Sequence, residues 1–256
     1  MSFPASQAPL PYRFGWAEIV LSTLAVLALT ALVFLVSSAL ANMAAEAIVG
    51  SLSVEAIMAA LKDRKTLGAN DSVQLILLVT GVCLYLAAAL AIVIIARNPR
   101  RMPLRQRVGF FDWQLDRQFW QLLAAALAYA VLSGYALEFV LPEARDWVIL
   151  PLNPVLLFGH FLLVVALGPF CEELLFRGWV FTSVRTRLGF GASVFLTSAL
   201  FAAAHYEKTL LYAFVVFPVG LALGFVRERY GSIKASACFH AMYNLFGFVV
   251  TYFDLG

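Results

Sequence analysis

Seven stretches of this chain are too apolar, and mostly too long, to sit in a soluble core. They run from about Ala17 to Ala41, Val73 to Ala96, Phe119 to Leu141, Val155 to Arg185, Phe190 to His205, Leu210 to Val226 and Ala235 to Phe253. A helix needs about 20 mostly apolar residues to cross a bilayer. The fifth and sixth stretches are short, so tilt or shielding by neighbours is expected there. Backbone at membrane depth must satisfy its own hydrogen bonds, and the alternating pattern of a barrel is absent. The expected fold class is therefore all-α: a polytopic transmembrane helix bundle of about seven spans, or eight if Ser51–Leu61 re-enters the membrane. Composition agrees, with 62% hydrophobic and 13% charged residues, against about 45–50% and about 25% in soluble domains. It excludes a soluble globular protein, a disordered chain and a disulfide-rich module.

Charge sets the orientation. Lys and Arg number 18 against 15 Asp and Glu, a net charge of +3. The cations lie in short loops between spans, so nucleic acid is not an expected partner. With the N-terminus inside, the cytoplasmic side holds Arg13, Arg97, Arg100, Arg101, Arg105, Arg107, Arg117, Arg177, Arg185, Arg187, Arg227, Arg229 and Lys234. The other side holds Lys62, Arg64, Lys65, Arg145 and Lys208. The positive-inside rule then places the N-terminus in the cytoplasm and the C-terminus outside. Only Arg13 precedes the first run, which exceeds a signal-peptide core, so it reads as a retained span. The Ala- and Arg-rich composition points to a bacterial inner membrane. Residues 97–118 are basic and read as a linker between a two-span region, 1–118, and a five-span core, 119–256. Cys83, Cys171 and Cys238 fall inside apolar runs and read as small buried hydrophobes. Gly220 and Gly224 form a G-x-x-x-G pair suited to close helix packing.

Ionisable groups at bilayer depth cost at least about 2.5–3.5 kcal/mol each, so those that occur need a reason. The fourth span carries Glu172, Glu173 and Arg177. Glu173 and Arg177 stand four apart, on one face, where a charge-assisted pair lowers the cost of both. Glu172 is rotated about 100° from Glu173 and is the carboxylate left over. The fifth span ends in three alanines and His205, a slim face that permits close approach. The seventh carries His240 and Asn244, again four apart and pointing the same way. If these groups converge, two imidazoles, two carboxylates and an amide make an acid–base site. His160 reads as structural, and Glu18, Glu138 and Asp254 as span-end residues.

Convergence makes a demand on the fold. Glu172 precedes Arg185 by 13 residues and His240 follows Lys234 by 6, which is about 20 and about 9 Å along a helix. The fourth span must project beyond the membrane, or tilt, for these groups to meet.

The motifs E-E-x-x-x-R, F-x-x-x-H and H-x-x-x-N lie in that order on successive apolar segments. Here they are Glu172-Glu173…Arg177, Phe201…His205 and His240…Asn244. Their set resembles the CAAX protease and bacteriocin-processing family, also called CPBP or Abi, over roughly Pro154 to Phe248. The resemblance implies an α-helical intramembrane endopeptidase that is glutamate-dependent and uses no catalytic metal. Glu172 would be the general base, with His205 sharing the activated water. His240 and Asn244 would stabilise the oxyanion, and Glu173 and Arg177 would support the site. The residues themselves keep zinc open, since His205, His240 and Glu173 could supply three ligands. The expected partners are membrane lipids and a peptide or membrane-associated protein substrate, for which a lipid anchor stays open and an unlipidated segment is the better guess in a bacterium. The competing functions are a proton-coupled transporter or channel and a non-catalytic peptide-binding membrane protein.

Overall fold

The computed structural model describes residues 14–49, 68–96, 103–142, 150–205 and 210–253. Among these there is no strand. The helices are α1 (Trp16–Val49), α2 (Asp71–Ala96), α3 (Leu104–Val108), α4 (Arg117–Val140), α5 (Pro154–Arg185), α6 (Phe190–Ala204), α7 (Leu210–Tyr230) and α8 (Ile233–Phe253). Six are long and apolar enough to cross a membrane, and α6, with 15 residues, is a shorter apolar helix. The expected spans are therefore present as helices. Ser51–Leu61 and Asp254 lie outside the described residues. So do Arg13, Lys62, Arg64, Lys65, Arg97, Arg100, Arg101, Arg145 and Lys208, on which much of the orientation argument rests.

Helix α5 is the centre of the bundle. Asn153 caps its start, accepting from the Val155 N–H at 3.0 Å, with Pro154 in the first turn. Its second half packs on α1, α2 and α3 through Trp179, Val180, Ile92 and Val108. The opposite face joins Phe176 to Phe201, Leu223 and Phe239 from α6, α7 and α8. Two stretches of α5, Leu163–Leu167 and Leu174–Phe181, are π-helical and flank Gly168–Glu173. Such single-turn widenings recur at functional sites.

Lipid is as apolar as leucine, so helices in it associate by close packing rather than by burial of apolar surface. The G-x-x-x-G pair does this. A Cβ on Gly220 would meet Ser198 Cβ at 3.0 Å, and one on Gly224 would meet Val194 Cγ1 at 3.0 Å. Residues 220 and 224 thus let α7 lie against α6.

The described part of the basic linker is more than a connector. The Arg107 guanidinium lies 3.8 Å from the Phe14 ring and 4.2 Å from the Trp179 ring, and donates to Ser183 Oγ at 2.7 Å. Burial pushes Arg107 down to about 10, against the pull of the Glu18 charge, so it stays cationic at neutral pH. Gly109 ends α3 at φ +69°, and a Cβ there would lie 2.0 Å from Arg227 Nη2. Only glycine satisfies both the left-handed backbone and that approach. Beyond it, Asp116 caps α4, accepting from the Phe119 N–H at 2.9 Å and the Tyr230 hydroxyl at 2.6 Å. Arg185 and Glu228 pair at 2.9 Å, and Lys234 and Asp112 at 2.6 Å. The Lys234 bond and charge hold Asp112 below the usual carboxylate range. These contacts gather the end of α5, the start of α4, the end of α7 and the start of α8 at one side of the bundle.

The depth problem is resolved at this side. Gly178 sits against Val108, and the Ile233 N–H donates to Gly109 O at 2.9 Å. Gly178 is thereby roughly level with the start of α8, and α5 continues past it to Arg185. Glu172 lies six residues back from Gly178 and His240 seven on from Ile233, about 9 and about 10 Å. The two residues meet because α5 overshoots the start of α8.

Candidate active site

Glu173 and Arg177 form the floor of the site. Both side chains are fully buried, and Arg177 Nη1 donates to Glu173 Oε1 at 2.8 Å. Arg177 Nη2 donates to Gly220 O at 2.9 Å, tying α5 to α7 at the close-packing glycine. The guanidinium also lies 4.5 Å from the centre of the Phe201 ring. Phe201 gives the F-x-x-x-H motif a physical meaning. Its ring is 4.4 Å from that of His205 and 5.7 Å from that of His240, so it packs against both imidazoles as well as the cation.

The three helices bring both histidines to Glu172. His205 Nε2 and His240 Nε2 each stand 3.8 Å from Glu172 Oε2. His205 is the first residue beyond α6, and its Nδ1–H donates to Phe201 O at 2.8 Å. That bond leaves Nε2 as an acceptor facing Glu172. His240 is bracketed by the two carboxylates, with Nδ1 3.3 Å from Glu173 Oε1. His240 is buried, while Glu172 and His205 keep 16% and 28% of their side-chain surface. The cluster is thus closed on the α8 side and open beside His205.

Asn244 lies one turn beyond His240, as expected, but its hydrogen-bond partner is elsewhere. Its Nδ2 donates to Val164 O at 3.0 Å, in the first π-helical stretch of α5. One amide hydrogen and the carbonyl oxygen are left for other work. His160 Nδ1–H donates to Leu156 O at 2.9 Å within its own helix, in keeping with a structural role. Cys83, Cys171 and Cys238 are free thiols. Among the described residues, no group of three or more His, Cys, Asp or Glu is arranged to hold a metal ion.

Two residues outside the motifs enter the cluster. The Tyr85 hydroxyl, on α2, donates to Glu172 Oε1 at 2.7 Å. Its signal in the sequence is only a tyrosine in an apolar span. Ser236 is fully buried beside the Glu173 carboxylate, its hydroxyl donating to Ile233 O at 3.3 Å. It stands four residues before His240, a spacing that is legible in the sequence.

Fold and site together define a polytopic helical membrane protein with an acid–base cluster where three of its helices meet. Residues 154–246 match the sequence family described as Type II CAAX prenyl endopeptidase Rce1-like. The match, about a third of the chain, spans every motif residue and supports an assignment to the CAAX protease (CPBP) family of membrane endopeptidases. No curated protein and no solved structure matches the chain. The protein is accordingly a protease-type hydrolase in a membrane, and the match gives no support to the transporter or the silent binder.

Proposed function

We propose that this protein is a glutamate-dependent endopeptidase in which Glu172 activates water directly. The observation that supports this is the pair of 3.8 Å gaps from Glu172 Oε2 to His205 Nε2 and His240 Nε2. They are too long for direct hydrogen bonds and suit a bridging water at about 2.8 Å from each group. The water donates one proton toward Glu172 and the other toward His205 Nε2. As its oxygen attacks the scissile carbonyl, Glu172 takes the first proton. The oxyanion accepts from His240, when both its ring nitrogens are protonated, and from the second Asn244 amide hydrogen. Glu172 then returns the proton to the leaving amine, which closes the balance. Glu173 and Arg177 hold His240 and α7 in place around it.

No cofactor is needed for these steps. The substrate class is a peptide or a membrane-associated protein segment, entering beside His205. The cations Arg105, Arg107, Arg117, Arg185, Arg187, Arg227, Arg229 and Lys234 lie at one side of the bundle, and that side faces the cytoplasm, with the N-terminus inside and the C-terminus outside.

The test is cleavage by purified protein in lipid, read by mass spectrometry on a library of prenylated and plain peptides. Wild type should cleave, with or without chelator, and Glu172→Ala should not. Cleavage by folded Glu172→Ala would overturn the mechanism, and chelator-sensitive cleavage would replace it with a metal-assisted one.

A further inference from the structure

The matched family segment begins at residue 154, yet one group touching the central carboxylate comes from α2. The Tyr85 hydroxyl donates to Glu172 Oε1 at 2.7 Å, across 87 residues of sequence. A tyrosine hydroxyl in a membrane must find some acceptor, and a backbone carbonyl would serve. Its partner here is the one site carboxylate without a guanidinium. Glu173 has Arg177 at 2.8 Å, whereas among the described residues the groups within ion-pair or hydrogen-bond distance of the Glu172 carboxylate are two imidazoles and this phenol. An O–H···O⁻ distance of 2.7 Å is in the range of charge-assisted bonds.

The packing around Tyr85 is built to the same end. Leu78, Gly81 and Tyr85 lie on one face of α2, and Gly159, Leu163 and Gly168 oppose them on α5. A Cβ on Gly159 would lie 2.6 Å from Leu78 Cδ2, and one on Gly81 2.9 Å from Leu163 Cδ2. A Cβ on Gly168 would lie 3.2 Å from Tyr85 Cζ and from its hydroxyl oxygen. Spacings of three and four residues on α2 thus meet spacings of four and five on α5. The step of five, from Leu163 to Gly168, spans the π-helical stretch. The absent side chain at residue 168 is what lets the phenol reach along α5 to residue 172.

We infer that Tyr85 is a positioning residue of the endopeptidase, which holds Glu172 Oε1 so that Oε2 is presented to both histidines. The inference rests on the reading of Glu172 as the base. A carboxylate has two equivalent oxygens and a free χ3 torsion. Anchoring one oxygen fixes the plane of the group and hence the direction of the other. Glu172 Oε2 itself is buried and carries no hydrogen bond within the protein, so it is left to the reacting water. The N-terminal region then completes the site instead of merely anchoring the core in lipid.

The experiment is steady-state cleavage of one substrate peptide by wild type, Tyr85→Phe and Glu172→Gln, with thermal melting of each in the same lipid. Phenylalanine keeps the ring and its contacts and removes only the donor. A mispositioned catalytic group costs up to about a hundredfold. The expected result is a kcat for Tyr85→Phe about ten- to a hundredfold below wild type, KM within about twofold, and an unchanged melting temperature. Glu172→Gln should be inactive. A wild-type kcat in Tyr85→Phe, with Glu172→Gln inactive, would overturn the role of Tyr85 and leave the base in place. A kcat loss matched by an equal loss of folded protein would also overturn it, as packing alone. Cleavage by Glu172→Gln would remove both readings together.

Discussion

Arg177→Met removes a charge that the fold has enclosed completely, and the cost can be worked from its contacts. The substitution leaves Glu173 buried with its guanidinium gone, since both side chains are fully buried and joined at 2.8 Å. Breaking a buried pair from one side costs about 3–5 kcal/mol. The Gly220 carbonyl loses its donor, which adds about 1–3 kcal/mol if nothing replaces it. The stacked Phe201 contact is worth about 2 kcal/mol when desolvated. These terms overlap, and the expected destabilisation is about 4 kcal/mol or more. The second arm is Glu173→Gln/Arg177→Met, which removes both charges. It should be more stable than the sum of the two single variants implies by about 2 kcal/mol, because neither charge is left alone. Equilibrium unfolding in mixed micelles by titration with dodecyl sulfate, read by tryptophan fluorescence, measures all four proteins. Additive losses would refute the argument, since they would mean that the two charges do not depend on each other.

Two further outcomes follow from packing and from charge. Gly220→Leu should destabilise the bundle by about 1–3 kcal/mol in the same unfolding assay, because its Cβ would meet Ser198 Cβ at 3.0 Å. Gly134→Leu, where an added Cβ meets nothing within 4 Å, should change stability little. The Tyr230 hydroxyl and the Phe119 N–H hold Asp116 below the usual carboxylate range. Its contribution to stability is therefore present above about pH 4 and lost as pH falls toward the lowered folded value. Asp116→Asn should flatten the acid side of the thermal-stability profile between about pH 4 and 3. An unchanged profile would show that the cap does not carry that slope.

The spans and the three motifs were legible because lipid makes polar groups conspicuous. A carboxylate, a guanidinium or an imidazole in an apolar run stands out, and a four-residue step tells which of them share a face. That reasoning placed Glu173 with Arg177 and joined α5, α6 and α8 through Glu172, His205 and His240. It also required α5 to overshoot or tilt, which is how these helices meet. Tyr85 escaped it because a lone phenol in a span is ordinary, and its partner lies on another helix. Ser236 was readable from its step to His240, but a small hydroxyl costs too little at depth to draw attention. The burial of Arg107 was not readable, since a cation in a basic linker gives no sign that Phe14 and Trp179 will enclose it. Nor was the donation by Asn244 to Val164, which depends on where a widened turn turns its carbonyls.

That widened turn also changes how α5 can be mapped. Each π-helical stretch advances the chain around the axis by less per residue than the α-helix that flanks it. A single helical wheel drawn over Pro154–Arg185 therefore slips out of phase at Leu163 and again at Leu174. Three arcs, each with its own origin, are needed to say which residues face lipid and which face the bundle. Each stretch in effect absorbs an extra residue: about five π-helical residues turn the chain as far as about four α-helical ones, so deleting one from Leu163–Leu167 would restore α-helical winding and leave the arc beyond it nearly in place. Deleting Phe170 instead, in the α-helical arc Gly168–Glu173 where no widened turn takes up the loss, would turn Glu172 by about 100° relative to the first arc without altering one side chain of the site.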